Sequence, residues 1–534
     1  MKKFSCTLLL LLSASIYAQS ELVFVYFADK PNKSAFYANP LSELTQKSLS
    51  RRIAQGIPLN DQDAPVEPTY LQNIQNMGFQ VADYSKWLNG VAVMANANQI
   101  LQLQNQPFVQ SVESFARNSN AIVKGPASQN KFPSTAKGPA VVFNYGTALA
   151  QTEQINLKSL HLAGYTGAGI TIAVLDTGFP TVNTGTAYQR LWNNSQIKGG
   201  YNFISKNTDI YNTSFNPHGS YVLGAISGYI DQSFVGTAPD ADLYLYATED
   251  ASVEIPQEEI YWIMAAEEAD RKGVDVINSS LGYTTFDDSR YNYTYTDMNG
   301  TTSFIARGAQ IAAEKGIFVV SAAGNSGALT WHYISTPADN QKVFTIGSVD
   351  SSGNPSDFSS YGPNSAGVVK PDASARGTTT ATVFNSSTVS ASGTSLASPL
   401  AAGGIACLLQ ATAPGTSREY LRSLLRQTAS LFPGTNVQMG YGILNFGNAL
   451  QQYLSTQSTT LVTFRMYPNP ARDRVLFQTS ENLEKIEIYD PAGRLIRREL
   501  PVDNTLDVSS LRPGIYYLNI KTAKSRYSEK LIKK

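Results

Sequence analysis

The chain has 534 residues, enough for three or more domains, and its 41 Lys+Arg balance 41 Asp+Glu. A formal charge of zero excludes the strong electrostatic pull that nucleic acid or anionic lipid would need, so no nucleic-acid partner is expected. Met1-Lys2-Lys3, the apolar run Leu8 to Ile16 and then Tyr17-Ala18-Gln19 have the layout of a secretory signal cut after Ala18. That run is too short to cross a bilayer, and no other uninterrupted apolar segment of about 20 residues follows, so no membrane span is expected. Cys6 leaves with the signal and Cys407 sits in an apolar helix, which leaves no intramolecular disulfide and makes Cys407 a small core residue.

In chain order, the strand Leu22 to Phe27 is followed by a polar, helical-looking segment. A helix at Thr69 to Met77, strands at Phe79 to Tyr84 and Gly90 to Met94, a helix at Asn98 to Gln104 and a strand at Val109 to Glu113 complete a βαββαβ unit. Residues 19–115 are thus a small α+β domain. Residues 116–153 begin with a stretch rich in Gly, Pro, Ser, Asn and Lys without periodicity, which reads as an exposed linker open to proteolysis. From residue 154 to 453 strands alternate with helices, the pattern of an α/β domain whose parallel sheet carries helices on both faces. Its strands are Ile170 to Leu175 (running into Asp176), Asp242 to Ala247, Val274 to Asn278, Ile317 to Ser321 and Val343 to Gly347. Its helices are Gln257 to Lys272, closed by Gly273, then Phe304 to Lys315, Ser398 to Gln410 and Ser417 to Ala429. Residues 454–461 read as a short Ser/Thr/Gln linker. Residues 462–534 show strands at Arg474 to Gln478, Lys485 to Tyr489, Arg494 to Leu500, Ile515 to Ile520 and Ser525 to Ile532. Turns at Pro491-Ala-Gly493 and Arg512-Pro-Gly514 lie between strands of this small all-β sandwich.

The segment Gly393-Thr-Ser-Leu-Ala-Ser-Pro399 puts Ser395 at the start of an apolar helix, where it serves either as a cap or as a nucleophile. There are three histidines, at 161, 218 and 332, and His218 stands in the proline-broken loop Asn216-Pro-His-Gly-Ser-Tyr-Val-Leu-Gly224. It follows the strand-end Asp176 of Val174-Leu-Asp-Thr-Gly178 and precedes Ser395. An α/β-hydrolase needs its histidine after the serine and a second glycine after it, and neither is present; the chymotrypsin order begins with histidine and needs Gly-Asp-Ser-Gly-Gly, also absent. Chemically, Ser395 needs a base to take its proton, His218 supplies one, and Asp176 orients His218 and steadies the imidazolium. Asn325, in Ser321-Ala-Ala-Gly-Asn-Ser-Gly327, sits on a loop leaving a buried strand. There its amide joins the Ser395 N–H as an oxyanion donor.

These four segments resemble the subtilisin-like serine peptidases of the S8 family over roughly residues 155–450. Carried over by position, Asp176, His218 and Ser395 match the triad and Asn325 the oxyanion asparagine. Asn278-Ser-Ser-Leu-Gly282 is similar to the edge that pairs with substrate backbone, with Ser280, Leu281 and Gly282 facing Ala322, Ala323 and Gly324 as walls of the S1 pocket. Ser220 and Tyr221 stand where the family usually has threonine and a second histidine. The insert Tyr283 to Thr302 is expected as a rim of the cleft or as a plain surface loop. Asp297-Met-Asn-Gly300 is a weak calcium candidate, so structural calcium is admitted without naming a metal residue and no cofactor is required. Residues 19–115 resemble an inhibitory propeptide, and Tyr467-Pro-Asn-Pro470, Ile488-Tyr-Asp-Pro-Ala-Gly-Arg494 and Leu511-Arg-Pro-Gly-Ile-Tyr-Tyr517 resemble the C-terminal sorting domain of type IX secretion. The resemblance implies a zymogen exported through the periplasm to the cell surface or medium, a hydrolase whose partners are protein or peptide substrates, its own propeptide and the type IX machinery. The alternative is a catalytically silent binding protein on the same fold. An S1 floor near Ser335-Thr336 without charge implies an apolar P1 residue.

Overall fold

The computed structural model describes residues 19–117, 142–460, 465–479, 482–491, 493–500, 503–522 and 526–534. The signal segment and most of the expected maturation linker lie outside them. The described residues fall into two compact units, one up to Leu450 and one from Gln451.

In the first unit, β1 (Glu21–Phe27) is central in a four-stranded antiparallel sheet with β2 (Asp83–Ser85), β3 (Gly90–Ala95) and β4 (Val109–Ser114), in the order β2-β3-β1-β4. The expected strand 79–84 shrinks to three residues because Phe79 turns into the small domain's own core. The two-residue period of β1 explains how this domain docks. Val23, Val25 and Phe27 face the helices Pro68–Asn76 and Ala97–Gln104 in that core, whereas Leu22 and Phe24 face the peptidase. Phe24 and Phe115 both pack on the Phe304 ring, Phe115 at a centroid distance of 3.8 Å.

The polar segment after β1 contains the helix α1 (Gln46–Gln55), capped by the Thr45 side chain and ended by Gly56 at φ 68°. It docks through charge. Arg51 and Arg52 both pair with Asp270 of the peptidase, Arg52 also pairs with Asp63 at 2.9 Å, and Lys315 of the peptidase meets Asp63 at 2.9 Å. All five side chains are buried.

The larger domain is built on a seven-stranded sheet, all parallel. Its strands are β5 (Thr171–Asp176), β6 (Ile197–Asn202), β7 (Asp242–Ala247), β8 (Val276–Ser279), β9 (Phe318–Ala322), β10 (Phe344–Val349) and β11 (Ala373–Arg376), in the order β11-β10-β9-β8-β5-β7-β6. Strands β6 and β11 are additions to the sequence reading. The helices that position the site are α2 (His218–Ser227), α3 (Gln257–Lys272), α4 (Phe304–Glu314) and α5 (Thr394–Ala411). Among the described residues only α5 is long and apolar enough to cross a membrane, and it is buried in the peptidase core. A peptidase-packed segment begins before residue 154: Tyr145 and Ala148 are buried, and a helix covers Leu149–Gln154. The chain changes direction at β5, filling one side with β6 and β7 and the other with β8 to β11. The crevice outside the carboxyl ends at such a switch point is where open α/β sheets bind ligands.

The expected linker at 454–461 is instead helical through residue 460, in Phe446–Thr460. In the second unit β12 (Arg465–Tyr467), β13 (Arg474–Gln478) and β16 (Thr505–Asp507) form one antiparallel sheet. The strands β14 (Leu483–Tyr489), β15 (Leu495–Glu499), β17 (Gly514–Thr522) and β18 (Arg526–Lys533) form the other. Alternate residues Val475, Phe477, Ile486, Ile488, Leu518 and Ile520 supply the core.

Candidate active site

Strands β5, β8 and β9 run in register, Leu175 beside Ser279 and Ser279 beside Ser321. Asp176 at the end of β5, Ser280 just past β8 and the turn Ala322 to Asn325 leaving β9 are therefore carried to one edge of the sheet. The first residue of α2 is His218, whose Nδ1 lies 2.7 Å from Asp176 Oδ1. The next residue has to be glycine, because a Cβ on Gly219 would sit 2.3 Å from the Gly178 carbonyl oxygen and 3.0 Å from Asp176 Cβ. Asp176 is fully buried, while the imidazole is 28 % exposed. With the carboxylate as its acceptor, Nδ1 carries the proton and Nε2 is left as the basic nitrogen. Burial pulls the His218 pKa down, the Asp176 charge and hydrogen bond pull it up, and the upward pull wins.

Helix α5 begins after Gly393 without a side-chain cap, so the hydroxyl of Ser395 does not serve the helix as one. Its backbone is held from behind: Ser280 Oγ donates to Ser395 O at 2.9 Å, Asn278 Nδ2 donates to Ser280 Oγ at 3.1 Å, and Ser398 Oγ donates to Asn278 Oδ1 at 2.8 Å. The Asn325 side chain is fixed by its oxygen, which accepts from Thr394 N at 2.8 Å and Thr394 Oγ1 at 2.9 Å. Its Nδ2 is thereby left for another partner. A Cβ added to Gly393 would lie 2.8 Å from Ser395 Oγ, 3.4 Å from Asn325 Nδ2 and 3.6 Å from Ser395 N. The small space in front of Gly393 is bounded by one hydroxyl and two N–H donors, the kinds of group that acyl transfer uses.

A cavity of about 330 Å³ opens here. Its β8/β9 side is lined by Ser280, Leu281, Gly282, Ala322, Gly324, Asn325 and Ser335, and its β5/β7 side by Thr177, Asn216, His218, Glu249 and Ala251. One expected wall residue is misplaced. Ala323 is fully buried, its N–H donating to Ile346 O at 3.0 Å and its carbonyl accepting from Ser335 N at 3.2 Å, so it braces the wall from behind. Ser335 closes the floor: its Oγ would be 2.2 Å from a Cβ on Gly282 and 3.2 Å from one on Gly324. Thr177 and Asn216 stand in the same short segments as Asp176 and His218, whereas nothing in the local sequence of Glu249 and Ala251 marks them as site residues. The other histidines lie elsewhere, His161 buried against the Tyr145 hydroxyl at 2.7 Å and His332 stacked on Tyr361.

The insert after β8 is neither a bare rim nor a free loop. Tyr291 Oη accepts from Leu22 N at 2.9 Å, Arg117 stacks over the Tyr293 ring at 4.0 Å, and Tyr293 donates to Glu259. It is a platform for the N-terminal domain. In the weak calcium candidate, Asp297 Oδ2 is engaged in a capping box with Thr294 N and Oγ1.

An all-parallel sheet with Asp, His and Ser in that chain order at its carboxyl edge is the architecture of subtilisin-like serine endopeptidases. Comparison with known proteins agrees: the subtilase family matches residues 167–442, the peptidase S8 propeptide domain of Bacteroidota residues 22–132, and the secretion system C-terminal sorting domain residues 465–534. Subtilisin DY of Bacillus licheniformis is 30% identical over 309 residues, covering 58% of this chain and 98% of that protein. Subtilisin Savinase of Lederbergia lenta is 30% identical over 297 residues, covering 55% and 94%, and Subtilisin NAT of Bacillus subtilis subsp. natto is 26% identical over 381 residues, covering 71% and 85%. The chain belongs to the subtilase family and is a secreted serine endopeptidase with a propeptide and a type IX sorting tail.

Proposed function

We propose that this endopeptidase cleaves proteins through an acyl-enzyme on Ser395. His218 Nε2 takes the hydroxyl proton as Ser395 Oγ attacks the scissile carbonyl carbon, and the carbonyl becomes an oxyanion held by Asn325 Nδ2 and Ser395 N–H. His218 then gives the proton to the leaving amine, and a water repeats the sequence to release the acid. Asp176 keeps the productive tautomer throughout. The observation that carries this reading is the space in front of Gly393, ringed by Ser395 Oγ, Asn325 Nδ2 and Ser395 N at 2.8, 3.4 and 3.6 Å from the position of a Cβ. Substrate backbone adds to the edge Ser280 to Gly282. The P1 side chain enters between that edge and Ala322 and Gly324 over the Ser335 floor, where an apolar group is favoured because no lining residue on that side is charged.

The same proposal extends to the domain map: a signal peptide at 1–18, propeptide at 19–115, maturation within 116–153, the peptidase from 154 and the sorting domain from 462. The propeptide acts as the enzyme's own inhibitor, and the sorting tail engages the type IX machinery. All groups for acyl transfer come from the chain, and a structural calcium ion would act on stability, which chelation would reveal as a lowered Tm. A fluorophosphonate label tests the core of the reading: it is expected on Ser395 of the processed protein, and a folded, processed protein that takes no label contradicts it. Hydrolysis of a protein substrate by the same preparation separates an endopeptidase from an esterase.

A further inference from the structure

The β5/β7 side of the cleft carries a carboxylate that the hydrolysis does not use. Glu249 lies just past β7 and lines the catalytic cavity together with Thr177, Asn216, His218 and Ala251. A second cavity, about 320 Å³, is lined by those same residues apart from His218 and by Asp250 and Ser252. The catalytic cleft thus adjoins a second space, and the two share Thr177, Asn216, Glu249 and Ala251 as lining.

Glu249 is held in place. The Tyr283 hydroxyl donates to its Oε2 at 2.7 Å, and Tyr283, 1% exposed, directly follows Gly282 on the edge proposed to pair with substrate. This tie sets the carboxylate on the side of the chain that leads up to the scissile bond. Neighbouring side chains of an extended peptide point to opposite sides. With P1 directed to the β8/β9 wall, the preceding residue, P2, is directed to the wall of His218 and Glu249.

The charges that act most strongly on Glu249 are acidic. Ligand oxygens of Glu249, Glu254 and Glu258 lie within 4.8 Å of one another, Asp176 and Asp250 act on Glu249, and Asp287 acts on Glu254. Among the described residues, the charges that act most strongly on Glu249, Glu254 and Glu258 are those of other carboxylates. Burial, then repulsion by neighbouring carboxylates, raises each of the three to about 8. A cation entering here meets carboxyl groups whose strongest charged neighbours are other carboxylates.

We propose that Glu249 is a specificity-determining residue, forming with the adjoining cavity a subsite that selects lysine or arginine at P2. This inference rests on the proposed peptidase reading and adds the side chain it prefers one residue before the cut. The long aliphatic stem of lysine or arginine passes Ala251, and its charged head meets Glu249, with Asp250 on the wall of the space beyond.

The test uses the processed enzyme and two peptides with phenylalanine at P1, one with lysine and one with norleucine at P2. The expected kcat/KM ratio favours lysine by about 10- to 100-fold, the range of a hydrogen bond to a charged partner. The ratio should grow as pH rises through 8, since the acceptors ionise there. Glu249→Gln should bring the ratio to within about twofold of one, whatever the absolute rate. Glu254→Gln, a change at a partly exposed position, should lower it by a smaller factor if Glu249→Gln fails to fold. Equal cleavage of both peptides by the wild-type enzyme overturns the subsite and leaves the peptidase reading standing. So does a calcium-dependent rise in Tm that Glu249→Gln abolishes while both peptides are cut equally, because the carboxylates would then be metal ligands. Cleavage of neither peptide together with no fluorophosphonate label takes down the underlying reading itself.

Discussion

Two clusters of charge in the first unit, one buried and one partly buried, obey opposite rules. Where the propeptide docks, Arg51, Arg52 and Lys315 meet Asp63 and Asp270, and every charge has an opposite partner. Beside the cleft, Glu249, which lines it, lies near Glu254 and Glu258, and the charges that act most strongly on the three are those of other carboxylates. The first arrangement satisfies itself and holds two domains of one chain together. The second is costly to the isolated enzyme, and a substrate cation relieves it. The contrast separates charge used for structure from charge held for a ligand, a distinction that composition with zero net charge hides.

Between these extremes stands the catalytic pair, one acid and one base, and breaking it should have the largest effect. Asp176→Asn is expected to lower kcat by about 10⁴, the loss known when a triad aspartate becomes an amide. The same variant should also move the acidic limb of the pH-rate profile. His218 works as a base only when neutral, so the rate rises as pH passes its pKa, which the Asp176 carboxylate holds above 6.5. Without that charge the burial effect remains and the limb shifts to lower pH. An unmoved limb would mean that His218 is not the group titrating.

Next in size is the interface network. Asp270→Ala leaves Arg51 and Arg52 without their peptidase partner in a buried site, at an expected cost of about 3–5 kcal/mol to the propeptide–peptidase contact. Dissociation of the cleaved propeptide, followed by size-exclusion chromatography or by the return of activity, should accelerate by more than about a hundredfold. An unchanged dissociation rate would show that the aromatic contacts of Phe24 and Phe115 with Phe304 are sufficient alone.

The smallest effect is expected in the acidic wall, and its sign is reversed. Glu258→Gln removes one like charge, and it should stabilise the enzyme at alkaline pH by about 1 kcal/mol or less. The wall carboxylates have folded-state pKa values near 8, above the 4.5 of the unfolded chain. They hold protons in the folded state that the unfolded chain has already lost. Their contribution is fully present below 4.5 and fades as pH rises through about 8. Thermal melts from pH 6 to 9 should show a steeper decline for wild type than for the variant; parallel declines would mean that this wall does not control alkaline stability.

Legibility in the sequence followed the range of the forces involved. Strand Asp242–Ala247 and helix Gln257–Lys272 stand where periodicity and the stop at Gly273 put them, because their apolar faces and caps are local. Strands Ile197–Asn202 and Ala373–Arg376 have no local signature, since Lys198-Gly-Gly200 and the small residues of the second give no strand pattern and pairing with neighbours makes them strands. The Ser/Thr-rich end of helix Phe446–Thr460 reads as a linker by composition alone. At the site, Asp176, His218, Asn325 and Ser395 were visible because each lies in a short distinctive segment. Glu249, Glu254 and Glu258 were invisible as a group, spread over a loop and a helix start and brought together only by the fold. Arg51 and Arg52 were hidden likewise, their partner Asp270 lying more than two hundred residues away.

The central claim, that Ser395 is the nucleophile of a self-processing peptidase, is tested most directly by expressing Ser395→Ala beside wild type and weighing both by mass spectrometry. The substitution removes the attacking oxygen from a helix start pinned through the Ser395 carbonyl, so the fold should persist. Wild type should yield a fragment beginning within residues 116–153, and Ser395→Ala freed of its propeptide by an added protease, then repurified, should cleave a protein substrate on the order of 10⁶-fold more slowly than that fragment, as for loss of the nucleophile in subtilisin. Purified away from other proteases, Ser395→Ala should remain a single chain with its propeptide attached. Normal cleavage of that linker in the alanine variant, or a folded and processed wild type without proteolytic activity, would contradict the account.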